Sequence, residues 1–146
     1  MAIYDYYKEH QSPSNSPKFG HFWLYAKVDF SKQNMGINDD LRLFQVRDKW
    51  VLCQGLWRCL VASGVANTID VGTSQNGTEL TAAENANSAN DWTAMDTLKN
   101  YTPIALTADG YIWLDNNTAA ASAGIFEVAI LCFAGPDDAE MDSLAE

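Results

Sequence analysis

The chain has 146 residues, with 19 acidic and 9 basic side chains and a formal charge of -10. This length favours a single domain, which buries roughly 70% of its unfolded surface and needs no disulfide or metal staples. Scarce Lys and Arg argue against a nucleic-acid partner, and the negative charge argues against an anionic membrane surface. No apolar run approaches the ~20 residues of a spanning helix, and the N-terminus does not resemble a signal peptide.

Residues 1–18 combine tyrosines with a Ser-Pro-Ser-Asn-Ser-Pro segment. Closely spaced prolines prevent a helix or a regular ladder, so we predict an extended N-terminal arm. Tyr4, Tyr6 and Tyr7 are unusual for a solvated tail. Two interpretations stay open: a disordered tail, or an arm on a neighbouring subunit, where each tyrosine brings apolar area and a hydroxyl.

Alternation of apolar and polar residues predicts a first β-strand within Phe19–Phe30. Even-numbered positions from Phe22 to Phe30 form the face that we expect to be buried. The opposite face carries His21, Trp23, Tyr25, Lys27 and Asp29. Aromatic and β-branched residues of this kind are typical of strands.

Further strand-like segments follow at short intervals, separated by glycine-containing turns. They are Leu41–Val46, Lys49–Leu52, Leu56–Ala62 and Asn67–Val71. Parallel βαβ units need a crossover helix, and no amphipathic helix of about ten residues separates these segments. We therefore predict an all-β domain, an antiparallel β-sandwich or barrel.

The middle of the chain carries weaker signals. Thr73–Asn90 is polar and long for a loop, so we expect it to be functional, partly ordered or covering a sheet edge. Asp91–Leu98 is predicted to form one or two helical turns, with Asp91 as the N-cap. Trp92 and Met95 would then share one face, because their spacing is i, i+3.

The last third predicts a hairpin and a central strand. The turn of the hairpin is Ala108-Asp109-Gly110, because Asp-Gly between strand-like runs is a strong hairpin signal. The flanking runs are Tyr101–Thr107 and Tyr111–Asp115. Gly124–Ala134 is the most hydrophobic segment, and Glu127 is its only charge, so this strand is expected to be central.

These elements divide the chain into three parts. We predict an N-terminal arm at residues 1–18, a β-sandwich domain at 19–135 and a short acidic C-terminal tail at 136–146. The tail is expected to be solvated, because a run of like charges repels itself.

The sequence shows no signature of catalysis or of a metal site. Free buried thiols in a reducing compartment are expected for the three cysteines, Cys53, Cys59 and Cys132. Neither His10 nor His21 has a motif that supports nucleophilic catalysis. Asn38-Asp39-Asp40 could hold a hard cation, although a solvated turn is the simpler interpretation. We predict a protein that is not an enzyme and binds no cofactor or metal.

Five tryptophans are the most distinctive residues of the composition. They are Trp23, Trp50, Trp57, Trp92 and Trp113. In a β-domain of this size they are expected to pack in the core or at a subunit interface. Exposed aromatic rows on β-sandwiches also bind sugars, so this second interpretation stays open.

The order of several segments along residues 20–134 resembles a known family. These segments are Lys-Val-Asp-Phe, Asp-Asp-Leu-Arg-Leu-Phe-Gln-Val, Ile-Asp-Val-Gly, Ile-Ala-Leu-Thr-Ala-Asp-Gly-Tyr-Ile-Trp-Leu-Asp and Ala-Gly-Ile-Phe-Glu-Val-Ala-Ile-Leu-Cys-Phe. The chain is similar to the small jelly-roll decoration, or cement, proteins of tailed bacteriophage heads. The resemblance implies a jelly-roll β-sandwich and a virion structural role.

Such proteins sit on the outer surface of the phage head as dimers or trimers and bridge neighbouring major capsid subunits. The implied partners are therefore the major capsid protein and further copies of this chain. The implied location is the capsid surface, after synthesis in the host cytoplasm. As candidate contact residues we take Tyr4, Tyr6, Tyr7, His21, Trp23 and Tyr25. The alternative function is a carbohydrate- or receptor-binding module of a phage tail or fibre.

Overall fold

The computed structural model of the chain describes residues 2–7, 20–98 and 102–135. Within these residues the chain forms ten β-strands. In chain order they are β1 (Ile3–Tyr4), β2 (Gly20–Asp29), β3 (Asp39–Val46), β4 (Val51–Val61), β5 (Thr68–Gly72), β6 (Thr81–Asn85), β7 (Thr93–Ala94), β8 (Ile104–Ala105), β9 (Gly110–Asn117) and β10 (Ile125–Ala134). No helix in this part of the chain is long and apolar enough to cross a membrane.

The strands form two sheets that enclose one core. The first has the order β1-β3-β9-β5-β6 and is called the β9 sheet below. The second has the order β2-β10-β4-β7, with β8 also pairing with β4, and is called the β10 sheet. Within the described ranges every pairing is antiparallel except the short one between β1 and β3. The predicted all-β sandwich of jelly-roll type is confirmed.

Strand β10 is central, as its composition predicted. It pairs along its whole length with β2 on one side and with β4 on the other. Its inward residues Phe126, Val128 and Ile130 are completely buried, and Phe126 stacks on Trp57 with ring centroids 5.5 Å apart. Burial of such side chains stabilises the fold by roughly 1.5–3 kcal/mol each, so this strand anchors the core.

The predicted alternation of β2 is also confirmed. Leu24, Ala26 and Val28 point into the core, whereas Trp23 and Tyr25 are exposed on the other face. The strand therefore separates an apolar inner row from an outer row that is available to a partner.

Two segments predicted as separate strands form the single strand β4. Gly55 lies between them and does not interrupt the ladder. A Cβ atom at this position would lie 2.6 Å from the sulfur of Met95 and 3.0 Å from a methyl of Leu98. Glycine is therefore required by the close approach of two core side chains, not by a turn.

The predicted hairpin around Asp109 and Gly110 is wrong. Strand β8 before it pairs with β4 in the β10 sheet, and β9 after it pairs with β3 and β5 in the β9 sheet. The carboxylate of Asp109 accepts the backbone N–H of Asp48 at 2.8 Å. This bond ties the Asp-Gly segment to the connection between β3 and β4. Because β8 and β9 belong to different sheets, the Asp-Gly segment is part of a crossover between the sheets and not the turn of a hairpin.

The predicted helical turns over Asp91–Leu98 are also wrong. Thr93 and Ala94 form strand β7, which pairs with the middle of β4. The N–H of Met95 then donates to the C=O of Gly55 at 2.8 Å. Met95 is fully buried while Trp92 is exposed, so the two side chains do not share a face.

The structure describes all of the polar segment Thr73–Asn90, which contains β6 at the outer edge of the β9 sheet. Leu80 and Ala86 on either side of β6 are buried in the core. The expectation that this segment covers a sheet edge is therefore met by a short strand.

Candidate interaction surfaces

The outer face of the β10 sheet carries exposed aromatic and aliphatic side chains. We call this surface the apolar face and define it by Trp23, Tyr25, Val61, Trp92 and Phe133. Trp23 and Tyr25 are 51% and 49% exposed, and Phe133 is 37% exposed. Phe133 lies directly opposite His21 in the ladder, and their rings are 5.0 Å apart. The aromatic residues of β2 and β10 therefore form one continuous surface.

An ionic cluster fixes the centre of the apolar face. Glu127 is 2% exposed and pairs with Arg58, whose Nη2 donates to Oε1 at 2.8 Å. The hydroxyl of Tyr25 donates to Oε2 at 2.5 Å. Burial, followed by this bond to Glu127, raises the pKa of Tyr25 to about 12. The guanidinium of Arg58 also lies 4.7 Å from the ring centroid of Trp92.

This cluster holds two exposed rings in place and neutralises the buried carboxylate. The strands of the β10 sheet carry balanced charges, namely Lys27, Arg58, Asp29 and Glu127. The strands of the β9 sheet carry Asp39, Asp40, Asp70, Glu84, Asp115 and the single basic residue Arg42. The described acidity of the strands is thus concentrated in one sheet.

Three aspartates lie side by side on the outer face of the β9 sheet. Asp115 is directly opposite Asp40 on one neighbouring strand and Asp70 on the other. Burial, then the charge of Asp40, raises the pKa of Asp115 to about 6. Burial also raises the pKa of Asp40, although hydrogen bonds from Gln75 and Asn76 oppose this shift.

The carboxyl groups of Asp40 and Asp115 lie opposite each other across the ladder between β3 and β9. Their Oδ1 atoms are buried and have no hydrogen-bond partner within the described residues. Burial therefore disfavours the ionisation of both carboxyl groups, and the charge of Asp40 adds to this effect at Asp115.

The three N-terminal tyrosines predicted as contact residues lie against their own domain. Strand β1, which contains Tyr4, pairs with β3 at the edge of the β9 sheet. Tyr6 is 8% exposed, and its hydroxyl donates to the C=O of Lys27 in the β10 sheet. The ring of Tyr7 lies 5.2 Å from that of Tyr111. Tyr6 therefore joins the two sheets, whereas Tyr4 and Tyr7 contact the β9 sheet.

Residues 8–18 of the predicted arm lie outside the described residues, so its contact with a neighbouring subunit stays a prediction. The structure brings His21, Trp23 and Tyr25 together on the apolar face and places the three tyrosines elsewhere. Sequence reasoning missed Phe133 and Trp92 as exposed residues. The alternation of β10 could have identified Phe133, because it lies on the same side as Glu127.

The segment considered for a hard cation is a turn held by backbone donors. The carboxylate of Asp39 accepts the N–H groups of Ala2 and Gly36 at 2.7 Å and 2.6 Å. In the described part of the chain no group of three His, Cys, Asp or Glu residues is arranged to hold a metal ion. The buried thiols Cys59 and Cys132 are unpaired, and burial raises the pKa of Cys132 to about 12.

The chain is thus a small jelly-roll β-sandwich with exposed apolar side chains on the outer face of one sheet. Comparison with known proteins places the fold more closely. No protein-family model and no curated protein matches the chain. Solved structures that share its fold at low sequence identity include chains of three phage capsids.

The first is a chain of the cyanophage Pam1 capsid asymmetric unit, with a TM-score of 0.61 and 14% identity over 85% of this chain and 91% of that one. The second is a chain of the capsid of Ralstonia phage GP4, with a TM-score of 0.58 and 12% identity over 93% of this chain and 100% of that one. The third is a chain of the acidic stable capsid of Helicobacter pylori bacteriophage KHP30, with a TM-score of 0.56 and 12% identity over 77% of this chain and 86% of that one. The resemblance to phage head proteins is thus confirmed at the level of the fold.

Proposed function

We propose that this chain is a virion structural protein of a bacteriophage head. More specifically, it acts as a decoration, or cement, protein that binds the outer surface of the shell and stabilises contacts between major capsid subunits. Its place is the capsid surface, after synthesis in the host cytoplasm, and its role includes no chemical step. The observation that carries the proposal is the fold shared with chains of three phage capsids over most of their length.

The apolar face supports this role because it has the chemistry of a protein-contact surface. A large aromatic side chain that is half exposed has roughly 100 Å² left to bury, which contributes about 2 kcal/mol on contact. The face carries no uncompensated buried charge, since Glu127 is paired with Arg58. Its occupant in this proposal is an apolar surface of the major capsid protein. Repetition over many sites makes modest affinity at each one sufficient.

The proposal is tested with heads that lack this protein. The variant carries Trp92→Ala and Phe133→Ala, which remove two rings from the apolar face without touching the core. The matched control carries Ile37→Ala and Val65→Ala, because these exposed apolar residues lie in loops outside the face. Both variants are incubated with heads, and bound protein is measured by co-sedimentation and by cryo-EM of the particles.

We expect the control to occupy heads as the wild type does and the face variant to lose at least tenfold in affinity. Equal occupancy by both variants would show that another surface binds the shell. Absence of binding by the wild type to any head preparation would contradict the proposed function itself.

A carbohydrate- or receptor-binding module is the second candidate, favoured by the adjacent exposed rings of Trp23 and Tyr25. Sugar rings stack on such side chains, so binding would quench or shift tryptophan fluorescence. Titration with a glycan panel at millimolar concentration distinguishes the two functions. A saturable change that Trp23→Ala abolishes would favour the second candidate over the first.

A further inference from the structure

The edges of the two sheets are protected unequally. Strands β1, β7 and β8 have two residues each, and β6 has five. The remaining edge strand, β2, has ten residues. Short edge strands, prolines and bulges are the usual means that prevent pairing with another chain. Strand β2 contains no proline, and its ladder with β10 runs over all ten residues without a bulge.

The free side of β2 offers unpaired backbone groups over half of its length. In an antiparallel ladder, alternate residues turn their N–H and C=O groups away from the partner strand. Phe30 donates its N–H to Gly124 beside β10, whereas the C=O of Lys27 accepts the hydroxyl of Tyr6, which belongs to neither strand. Odd-numbered residues therefore direct their backbone groups outward.

His21, Trp23 and Tyr25 consequently present one outward N–H and one outward C=O each. Within residues 2–7, 20–98 and 102–135, no hydrogen bond reaches these groups. The other half of the edge is closed, because Tyr6 caps Lys27 and two charged side chains stand at Lys27 and Asp29. The open part of the β2 edge is thus the five-residue segment from His21 to Tyr25, which carries exposed aromatic side chains.

We propose that β2 strands of two copies of this chain pair antiparallel about a two-fold axis at Trp23. The two β10 sheets then form one continuous sheet. The inference deepens the self-association that belongs to the proposed function and gives it a defined geometry. A second copy is the occupant that the charges favour.

At a net charge of -10, two copies repel each other over most of their surface. The β10-sheet strands are the exception, because their four charges balance. The register at Trp23 sets each Trp23 against the same residue of the second copy and each His21 against Tyr25. It opposes no like charges, and cross-strand aromatic pairs of this kind add roughly 0.2–1 kcal/mol each. Pairing ends before Lys27, so the bond from Tyr6 is retained.

The register is tested by disulfide trapping of the full chain. All variants carry Cys53→Ser, because Cys53 is the cysteine that is only partly buried. In the proposed dimer the two Cα atoms of residue 23 lie about 5.5 Å apart, which is within disulfide range. Trp23→Cys should therefore give a covalent dimer under mild oxidation. Tyr25→Cys is the matched control, since the two copies of residue 25 lie about 13 Å apart along the ladder.

The association itself is tested by native mass spectrometry and sedimentation of the isolated protein. We expect the wild type at twice 16.1 kDa. Trp23→Glu, which places two carboxylates together at the axis, should raise the dissociation constant at least tenfold more than its uncharged counterpart Trp23→Gln. A monomer, a trimer or equal cross-linking at residues 23 and 25 would overturn the inference. Because no heads are present, such a result leaves capsid binding untouched.

Discussion

The two sheets each bury an ionic cluster, and the two clusters are built in opposite ways. In the β10 sheet Glu127 is neutralised by Arg58 and held by Tyr25. In the β9 sheet Asp115 lies between Asp40 and Asp70, and the nearby Arg42 pairs with Asp5 instead. A compensated charge allows a surface to be covered by a partner at little further cost, whereas uncompensated carboxylates respond to pH. The comparison therefore favours the β10 sheet for the proposed contact and the β9 sheet for proton sensitivity.

The largest expected effect comes from removing the two arginines. Arg58→Ala should lower the free energy of unfolding by about 3 kcal/mol, because it leaves Glu127 buried without a counter-charge. Arg42→Ala removes a more exposed pair and should cost about 1 kcal/mol or less. Urea unfolding at neutral pH, followed by tryptophan fluorescence, measures both losses. Equal losses would remove the distinction between the two clusters.

The next effect concerns pH and belongs to the β9 sheet. The pKa of Asp115 is raised to about 6 from an ordinary value of 3.8, so the folded state binds more protons than the unfolded state between these values. Its contribution to stability is therefore present below about pH 4 and is lost as the pH rises through 6. Asp115→Asn should remove this loss and gain up to about 2 kcal/mol at pH 8 relative to the wild type.

Thermal unfolding of the wild type and Asp115→Asn across pH 4–8 checks this prediction. Asp48→Asn serves as the control, because Asp48 lies in an exposed turn away from the three aspartates. The control should keep the wild-type pH profile. An Asp115→Asn profile parallel to that of the wild type would contradict the raised pKa of Asp115.

A smaller effect is expected from two tyrosines, one in each sheet. Tyr25→Phe removes the hydroxyl that donates to Glu127 and should cost about 1 kcal/mol, since the bond has a charged acceptor but is partly exposed. Tyr111→Phe on the β9 sheet should cost less than about 0.5 kcal/mol. Ultraviolet titration provides a second measurement. The absorbance change of the tyrosine that ionises near pH 12 should be lost in Tyr25→Phe and retained in Tyr111→Phe.

The smallest effect on stability is expected on the apolar face itself. In the monomer, Trp23→Gln should change the free energy of unfolding by less than about 0.5 kcal/mol, because the side chain is half exposed. Trp113→Gln should cost more, since Trp113 packs against Tyr111 and the guanidinium of Arg42. A large loss for Trp23→Gln in chemical unfolding would mean that this ring stabilises the fold and is not kept for contact.

Strands β2 and β10 could be predicted from the sequence because each directs one row of alternate apolar residues into the core. The two wrong predictions, the hairpin and the helical turns, have a common physical cause, because contacts between residues distant in the sequence outweigh the local signals. The Asp-Gly turn signal is local, whereas the bond from Asp48 to Asp109 joins residues 61 positions apart. The spacing of Trp92 and Met95 suits a helix, but Met95 fits over Gly55, which no local rule includes.

The features of the candidate site likewise divide into those that follow from a local sequence pattern and those that only the pairing of distant strands determines. Exposure of Trp23 and Tyr25 follows from the alternation within one strand, and it could be predicted. The bond between Arg58 and Glu127 joins residues 69 positions apart, and the register of β4 with β10 decides it. The positions of the N-terminal tyrosines were missed because strand β1 is two residues long and carries no recognisable period.

The pairing of β2 with β10 also governs how the molecule folds. This ladder joins Asp29 to Ile125 and Gly20 to Ala134, so it closes nearly the whole chain into one loop. During synthesis β2 leaves the ribosome long before β10, so in this interval its aromatic side chains have no paired strand beside them. Non-local pairing of this kind makes folding slow, in the range of milliseconds to seconds. The apolar face therefore acquires its shape only after β10 has been synthesised and can pair with β2.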